Sequence, residues 1–553
     1  MYALVAMALS FAFVASHENR EDGDPPSERP NVVLIMADDL GYSDIGCYGG
    51  EIRTPNLDAL AANGIRFTQF YNTARCCPTR AALMSGRYAH QSGVGHMVND
   101  AGRDAYRGEL SRDSVTIAEV LGENGYATGM SGKWHVTHNL GSPREMIEPE
   151  VRTNWPTDRG FESFYGTVHG AGSFFDPVTL ARGDEYIELD RDDFYYTDRI
   201  NEEAARFITE HADSGDERPF FLYVAHTAPH WPLHARPEDI DRYKGRYDKG
   251  WDATRDARYE RMKTMGVIDG SWPMTGRDSR VEDWESVEHK AWQARRMEVY
   301  AAQVDSMDRG IGLVIDALRK SGQLENTLVM FLADNGGCAE EIGPNWRSLS
   351  IPETTHDGRP VANGNDPAVM PGAEDNYQSY GVPWANVSNT PFRRYKHHVH
   401  EGGIASPLVV HWPDRIKSGG AFRRTPGHVI DIMATCVDVA GANYPKMHDG
   451  HVIEPLEGTS LLPALVVGDF DRDAIFWEHE GNRAVRQGRW KLVSRHKRDW
   501  ELYDLAADRT EMTDLSGVEP ERVAALSLLY DAWAVRCGVE PWPLAPVQSP
   551  AGK

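Results

Sequence analysis

The chain has 553 residues, with 58 Lys or Arg against 83 Asp or Glu, a formal charge of −25. With 41% hydrophobic and 25% charged residues it has the composition of one large or two ordinary globular domains, which excludes wholesale disorder, a collagen-like repeat and a disulfide scaffold. The acidic balance argues against a general nucleic-acid binder, and an anionic substrate would need a locally basic site.

In chain order, the apolar run from Tyr2 to Ala15 is too short to span a bilayer and reads as a signal-peptide core, although the basic start of such a leader is missing. The alternative is a stray apolar N-terminus on a cytoplasmic protein. Ser16 to Pro30 is polar, charged and Pro-containing, the composition of a linker. Folded structure is expected from Asn31, and the location is expected to be periplasmic or secreted.

Four short apolar runs then each lead into polar residues. Val32 to Ala37 leads into Asp38-Asp39, Tyr126 to Ser131 into Lys133 and His135, Phe220 to Ala225 into His226 and His230, and Thr327 to Ala333 into Asp334-Asn335. Alternation with helical patterns predicts a mostly parallel α/β sheet, whose ligands bind beyond the carboxyl ends of the strands, so the four clusters should converge on one crevice. A helix is predicted from about Arg296 to Lys320, where Tyr300, Val304, Met307, Ile311, Val314 and Leu318 form one apolar stripe. The region from Gly336 to Arg393 lacks periodicity and is expected to be a loop forming a wall of the cleft. After a helix predicted over His428 to Val439, the character changes near Gly458. Short strands at Ile475–Trp477, Ala484–Arg486 and Trp490–Val493 predict a smaller C-terminal domain over 461–553, beside a main domain over 31–460.

Several residues have the chemistry of a site. Asp38-Asp39 after a buried strand either cap a turn or share a cation, and Asp334-Asn335-Gly336-Gly337 repeats the choice, with two glycines allowing a sharp turn. Four side-chain oxygens without Cys or His beside them suit Ca²⁺ or Mg²⁺. Lys133 and His135, two apart, would both face the crevice if the backbone stays extended. His230, between Pro229 and Pro232, is either a general acid or a packing partner of Trp231. The stretch Arg393 to His400 (RRYKHHVH) is a surface patch, a His-rich metal site or a Lys that grips an anion. Trp155, Trp231, Trp272 and Trp384 fall in loop-like sequence, where they would either stack on sugar rings or pack in the core. The six cysteines form no zinc-type pair, but Cys76 and Cys77 are adjacent.

Cys76-Cys77-Pro78-Thr79-Arg80, a Cys with Pro at +2 and Arg at +4, resembles the formylglycine signature of type I sulfatases. From about Asn31 to His428 the chain is similar to arylsulfatase-type members of the alkaline phosphatase superfamily, with NVVLIMADDLGYSD, CCPTRAALMSGRY, SGKWH, RGFESFYG, FFLYVAHTAPHWP, VMFLADNGG and NTPFRRYKHHVHEGG in the family's order. The resemblance implies an alkaline-phosphatase-like, mostly parallel mixed sheet flanked by helices, with a smaller C-terminal sheet domain. It implies that a formylglycine-generating enzyme oxidises Cys76 to an aldehyde whose hydrate attacks sulfur, and that Asp38, Asp39, Asp334 and Asn335, with residue 76, bind one Ca²⁺ rather than Mg²⁺. Arg80, Lys133, His135, His230 and Lys396 would line the sulfate pocket. Asp334 would accept the nucleophile's proton, His230 with Lys396 would protonate the leaving alcohol, and His135 would release sulfate. The implied substrate is a sulfated small molecule or glycan, with neither nucleic acid nor a stable membrane span involved. Two rivals remain: a phosphonate monoester hydrolase or phosphodiesterase of the same superfamily, and a catalytically idle glycan-binding protein on the same scaffold.

Overall fold

A computed structural model describes residues 29–138, 154–189, 193–346, 348, 351–468 and 470–546. The expected leader, and all but the last two residues of the linker, lie outside them. No helix among the described residues is long and apolar enough to cross a membrane.

The main sheet is built from β1 (Asn31–Ala37), β2 (Ile65–Tyr71), β3 (Ala127–Gly132), β4 (Ser163–Thr167), β5 (Leu180–Arg182), β6 (Glu185–Tyr186), β7 (Phe220–Ala225) and β8 (Thr327–Ala333), joined by Ala405–His411, Ala421–Arg423 and Gly427–His428. β1 lies at its centre, parallel to both β7 and β8, and β3 continues the parallel run beyond β7. Ala405–His411 runs antiparallel between β8 and β2. The run VVLIMA explains the central place of β1, because alternate residues feed two cores. Val33 and Ile35 join one face, Val32, Leu34 and Met36 the other, and all are fully buried.

The helix predicted from Arg296 is longer, Lys290–Lys320, and its whole predicted stripe is buried. The helix predicted from His428 begins instead at Ile430, because Gly427–His428 pairs with β2. The region after Gly336 is not all loop: it holds the helix Gly381–Ser388, seven of whose eight residues are buried, so no amphipathic stripe marks it. The C-terminal sheet has four antiparallel strands, Ile475–His479, Asn482–Gln487, Trp490–Ser494 and Glu501–Asp504. The fourth, only four residues long, escaped the sequence pattern. The helix Pro520–Cys537 follows it.

A buried ionic network holds this sheet against the main one. Lys491 Nζ donates to Glu401 Oε1 at 2.9 Å, while Arg509 Nε and the Tyr71 hydroxyl donate to Oε2 at 2.9 and 3.0 Å. Burial alone would raise the Glu401 carboxyl, but Lys491 and Arg509 hold it down at about 2. A carboxylate with a depressed folded-state value stabilises the fold above its ordinary 4.5 and loses that contribution as pH falls toward 2. Glu401→Ala strands the buried Arg509 and leaves Lys491 with Glu511 alone, 2.9 Å away, and is expected to lower the unfolding free energy by about 3–5 kcal/mol in urea titrations. The wild-type advantage should narrow as pH is lowered through that window.

Candidate active site

The four strand-end clusters do converge. Asp38 follows β1 and is fully buried; its Oδ2 accepts from Lys133 Nζ at 2.5 Å and lies 3.8 Å from Arg80 Nη2. Asp39 adopts a left-handed backbone, φ 64°, a conformation short polar residues tolerate. That turn aims its carboxylate at Lys396 Nζ, 2.9 Å from Oδ1, at His230 Nε2, 3.2 Å from Oδ2, and at Asn335 Nδ2, 2.6 Å from Oδ1. Asp334, at the end of β8, takes Arg80 Nε and Nη2 on Oδ2 at 3.2 and 2.9 Å, and its Oδ1 accepts from the Asp39 backbone N–H at 3.1 Å.

The glycines after Asn335 serve a purpose other than the one expected. Neither adopts the left-handed region; a Cβ on Gly336 would instead lie 1.9 Å from the Gly402 carbonyl oxygen, so close backbone approach is what requires glycine there. The extended path from Lys133 to His135 is also overturned. β3 ends at Gly132, and His135 sits at φ 61° in a left-handed turn. Both side chains still reach the site, because this turn sends Lys133 to Asp38 and His135 to the Cys76-Cys77 corner.

Cys76 is the first residue of the helix Cys76–Ser85, whose N-cap Arg75 is extended and whose C-cap Gly86 is left-handed. Thr79 ties this helix to β8, its hydroxyl donating to the Asp334 carbonyl at 2.6 Å. A hydrogen bond from Cys77 lowers the Cys76 thiol well below its usual value; Lys133 and His135 add to this and outweigh burial. Cys77 goes the other way, pushed up by burial, with His135 Nε2 at 3.2 Å and the Met97 sulfur at 3.8 Å from its sulfur. All six cysteines are buried and unbridged. Burial and Lys133 push His135 down to about 4, so it is a neutral base near pH 7.

His230 Nδ1 donates to the Trp231 carbonyl at 2.6 Å, which leaves Nε2 facing Lys396 Nζ at 3.1 Å. Burial opposes the charge on Lys396, but Asp39 and other neighbours hold its ammonium well above its usual value. Burial would likewise raise Asp38, yet Lys133, His230 and Arg80 hold it below its usual range. Asp334 is pushed well above that range by burial and by Asp38, against Arg80. Asp38 Oδ1 and Asn335 Oδ1 are buried oxygens without a hydrogen-bond partner. Two orphaned oxygens beside crowded carboxylates, with only oxygen donors in the group, fit a hard divalent cation.

Cys76, His135, His230 and Lys396 line one cleft of about 220 Å³. Its walls include Met97, Val98, Pro177, Val178, Trp231 and Trp346. Of the four tryptophans considered as stacking residues, only Trp231 lines it; Trp155, Trp272 and Trp384 are buried in the interior. His226 also lies away from the cleft. It is fully buried, pushed down to about 3 by burial and Arg80, and its carbonyl accepts from Arg80 Nη2 at 3.4 Å. The expected wall is present through Glu340, Trp346 and Ser348. Glu340 was not singled out in the sequence, although the acid pair Glu340-Glu341 just after Asp334-Asn335-Gly336-Gly337 was an available signal. It accepts from Trp231 Nε1 at 2.6 Å and stands 3.8 Å from Lys396 Nζ.

Known proteins match the chain over most of its length. The sulfatase family profile matches residues 30–442, and that of the C-terminal part of N-sulphoglucosamine sulphohydrolase matches 393–527. The chain is 33% identical to an uncharacterised sulfatase of Schizosaccharomyces pombe, over 92% of this chain and 93% of that one. It is 34% identical to an arylsulfatase of Klebsiella aerogenes, over 78% of this chain and 91% of that one. Among solved structures, Ps i-CgsB in complex with k-i-k-neocarrahexaose aligns with a TM-score of 0.64 at 25% identity, covering 92% of this chain and 93% of that one.

Proposed function

The chain belongs to the sulfatase family and is a sulfuric ester hydrolase, and from that premise we propose that it cleaves sulfate monoesters of ring-bearing alcohols, sulfated sugars foremost, with residue 76 as nucleophile. The observation that carries this reading is geometric: Cys76 lines one cleft with His135, His230 and Lys396, over three buried carboxylates and three buried cations. Lys133, Lys396 and Arg80 offset Asp38, Asp39 and Asp334, so the site can take up a divalent cation and a sulfate monoanion.

Asp38, Asp39, Asp334 and Asn335 would hold Ca²⁺, which in that position would offset charge on the sulfate oxygens and on the nucleophile. Oxidised to formylglycine and hydrated, residue 76 would offer one hydroxyl to attack sulfur and a second to release sulfate. Cys76 is 2% exposed, so a formylglycine-generating enzyme has to reach it before the chain folds. Asp334, as the carboxylate, accepts the proton of the attacking hydroxyl. His230, entering the step as the imidazolium with its Nδ1–H held by the Trp231 carbonyl, delivers its second proton from Nε2 to the leaving oxygen, and Lys396 beside it stabilises the growing charge. His135, neutral near pH 7, takes the proton of the second hydroxyl. Trp231 and Trp346, with ring centroids 5.4 Å apart, offer faces for the ring of the leaving group, a role in keeping with the oligosaccharide bound by Ps i-CgsB.

The test is a side-by-side assay of an aryl sulfate and an aryl phosphate diester, on protein whose residue 76 is shown by mass spectrometry to be the aldehyde. Sulfate release is expected to dominate, to fall on chelation and to return with Ca²⁺. Preferred diester cleavage would overturn the reading in favour of the phosphonate and phosphodiester hydrolases.

A further inference from the structure

The pair His397-His398, part of the basic stretch around Lys396, takes no role in the chemistry above. His397 leads instead to a cluster at the seam between the main body and the C-terminal sheet. Its Nδ1 lies 2.9 Å from Glu480 Oε2, and its Nε2 lies 2.9 Å from Glu340 Oε1. On the other oxygen of Glu480, His96 Nε2 stands 3.1 Å and His479 Nε2 3.7 Å from Oε1.

We propose that His96, His479 and Glu480 form a second metal site, which takes Zn²⁺ and clamps the C-terminal sheet to the main body beside the cleft. One ligand atom from each residue lies within 4.8 Å of the other two. Zinc bonds of about 2.1 Å at tetrahedral angles put neighbouring ligand atoms about 3.4 Å apart, and the separations of 3.1 and 3.7 Å bracket that value. The second observation is His479 itself, fully buried with neither ring nitrogen in a hydrogen bond. A buried imidazole left unpaired is costly, and a metal ion supplies the missing partner.

The donor set separates this site from the one in the cleft. Two imidazoles and a carboxylate suit zinc, with a fourth position left for water, whereas Asp38, Asp39, Asp334 and Asn335 offer oxygens to a hard cation, and the thiol cluster Cys76, Cys77 and His135 loses one of its two sulfurs once residue 76 is the aldehyde. The side chains of His96 and Glu480 are 28% and 26% exposed, which gives an ion a way in. His397 and Glu340 continue from Glu480 toward Lys396, and such outer partners orient a ligating carboxylate. His96 lies 384 residues before Glu480, so the ion would join segments that no local element connects.

The experiment loads the full chain with Zn²⁺ in saturating Ca²⁺, removes free metal by gel filtration and counts retained zinc by mass spectrometry, with unfolding temperature as a second readout. The expected result is one Zn²⁺ per chain, a raised unfolding temperature, and tetrahedral visible absorption when Co²⁺ replaces zinc. His96→Gln and Glu480→Gln, both at partly exposed positions, should each lower retention at least about tenfold and remove the thermal shift. Asp38→Asn should leave both unchanged. No retained zinc in the wild type, equal retention in the His96 and Glu480 variants, or loss confined to Asp38→Asn would each overturn the proposal; the last would place the zinc in the cleft.

Discussion

Cys76→Ala is expected to lower kcat for an aryl sulfate by about 10⁴-fold or more, while Cys77→Ala loses no more than about tenfold. The two thiols are adjacent and both buried, yet their surroundings set them apart. Cys76 opens a helix and lines the cleft with His135 and Lys396. Cys77 is pushed up by burial and packs against Met97 and His135 behind the cleft wall. Its removal costs some packing and leaves His135 less firmly held, which accounts for the modest loss. Unfolding temperatures of both variants separate a chemical effect from a structural one. If Cys77→Ala were inactive and Cys76→Ala active, with both folded, the nucleophile would have been assigned to the wrong sulfur.

A second large effect should depend on the leaving group. His230→Ala and Lys396→Ala are expected to cost about 10²–10⁴-fold in kcat on sulfated sugars or alkyl sulfates, but only about tenfold on activated aryl sulfates. A poor leaving group carries nearly a full negative charge as the S–O bond breaks, so it needs the proton from His230 and the neighbouring ammonium. An activated phenol departs without either. His230 is aimed for the task, because its Nδ1–H is spent on the Trp231 carbonyl and Nε2 is left beside Lys396. A plot of log kcat against leaving-group pKa measures this, and the variants should show a steeper slope than wild type. Parallel lines would mean that the two residues bind sulfate without assisting departure.

Much of the fold was legible because its signals are local. A run such as VVLIMA, buried on both faces, announces a central parallel strand, and the apolar stripe from Tyr300 to Leu318 announces a helix lying on the sheet. The strand-end residues Asp38, Asp39, Lys133, His230, Asp334 and Asn335 could be singled out from their neighbours in the chain, since open α/β sheets present exactly those ends to a ligand. Short elements were less legible. Glu501–Asp504 is too brief to show alternation, and Gly381–Ser388, buried nearly all round, shows no stripe.

What the sequence determined by itself was the set of reactive residue types, their spacing in the Cys76–Arg80 pentapeptide, and the order of strands and helices, because each depends on near neighbours. Only the tertiary structure decided which of them meet. It put Lys396 on Asp39 from 357 positions away, brought Glu340 to Trp231 and His397, and sent Trp155, Trp272 and Trp384 into the interior while leaving Trp231 in the cleft. It also gave two adjacent cysteines opposite acidities and gathered His96, His479 and Glu480 at one seam. Burial, charge pairing and hydrogen-bond partnership are properties of the packed chain; they arise between segments that no sequence window contains, and they turn a list of capable residues into a site.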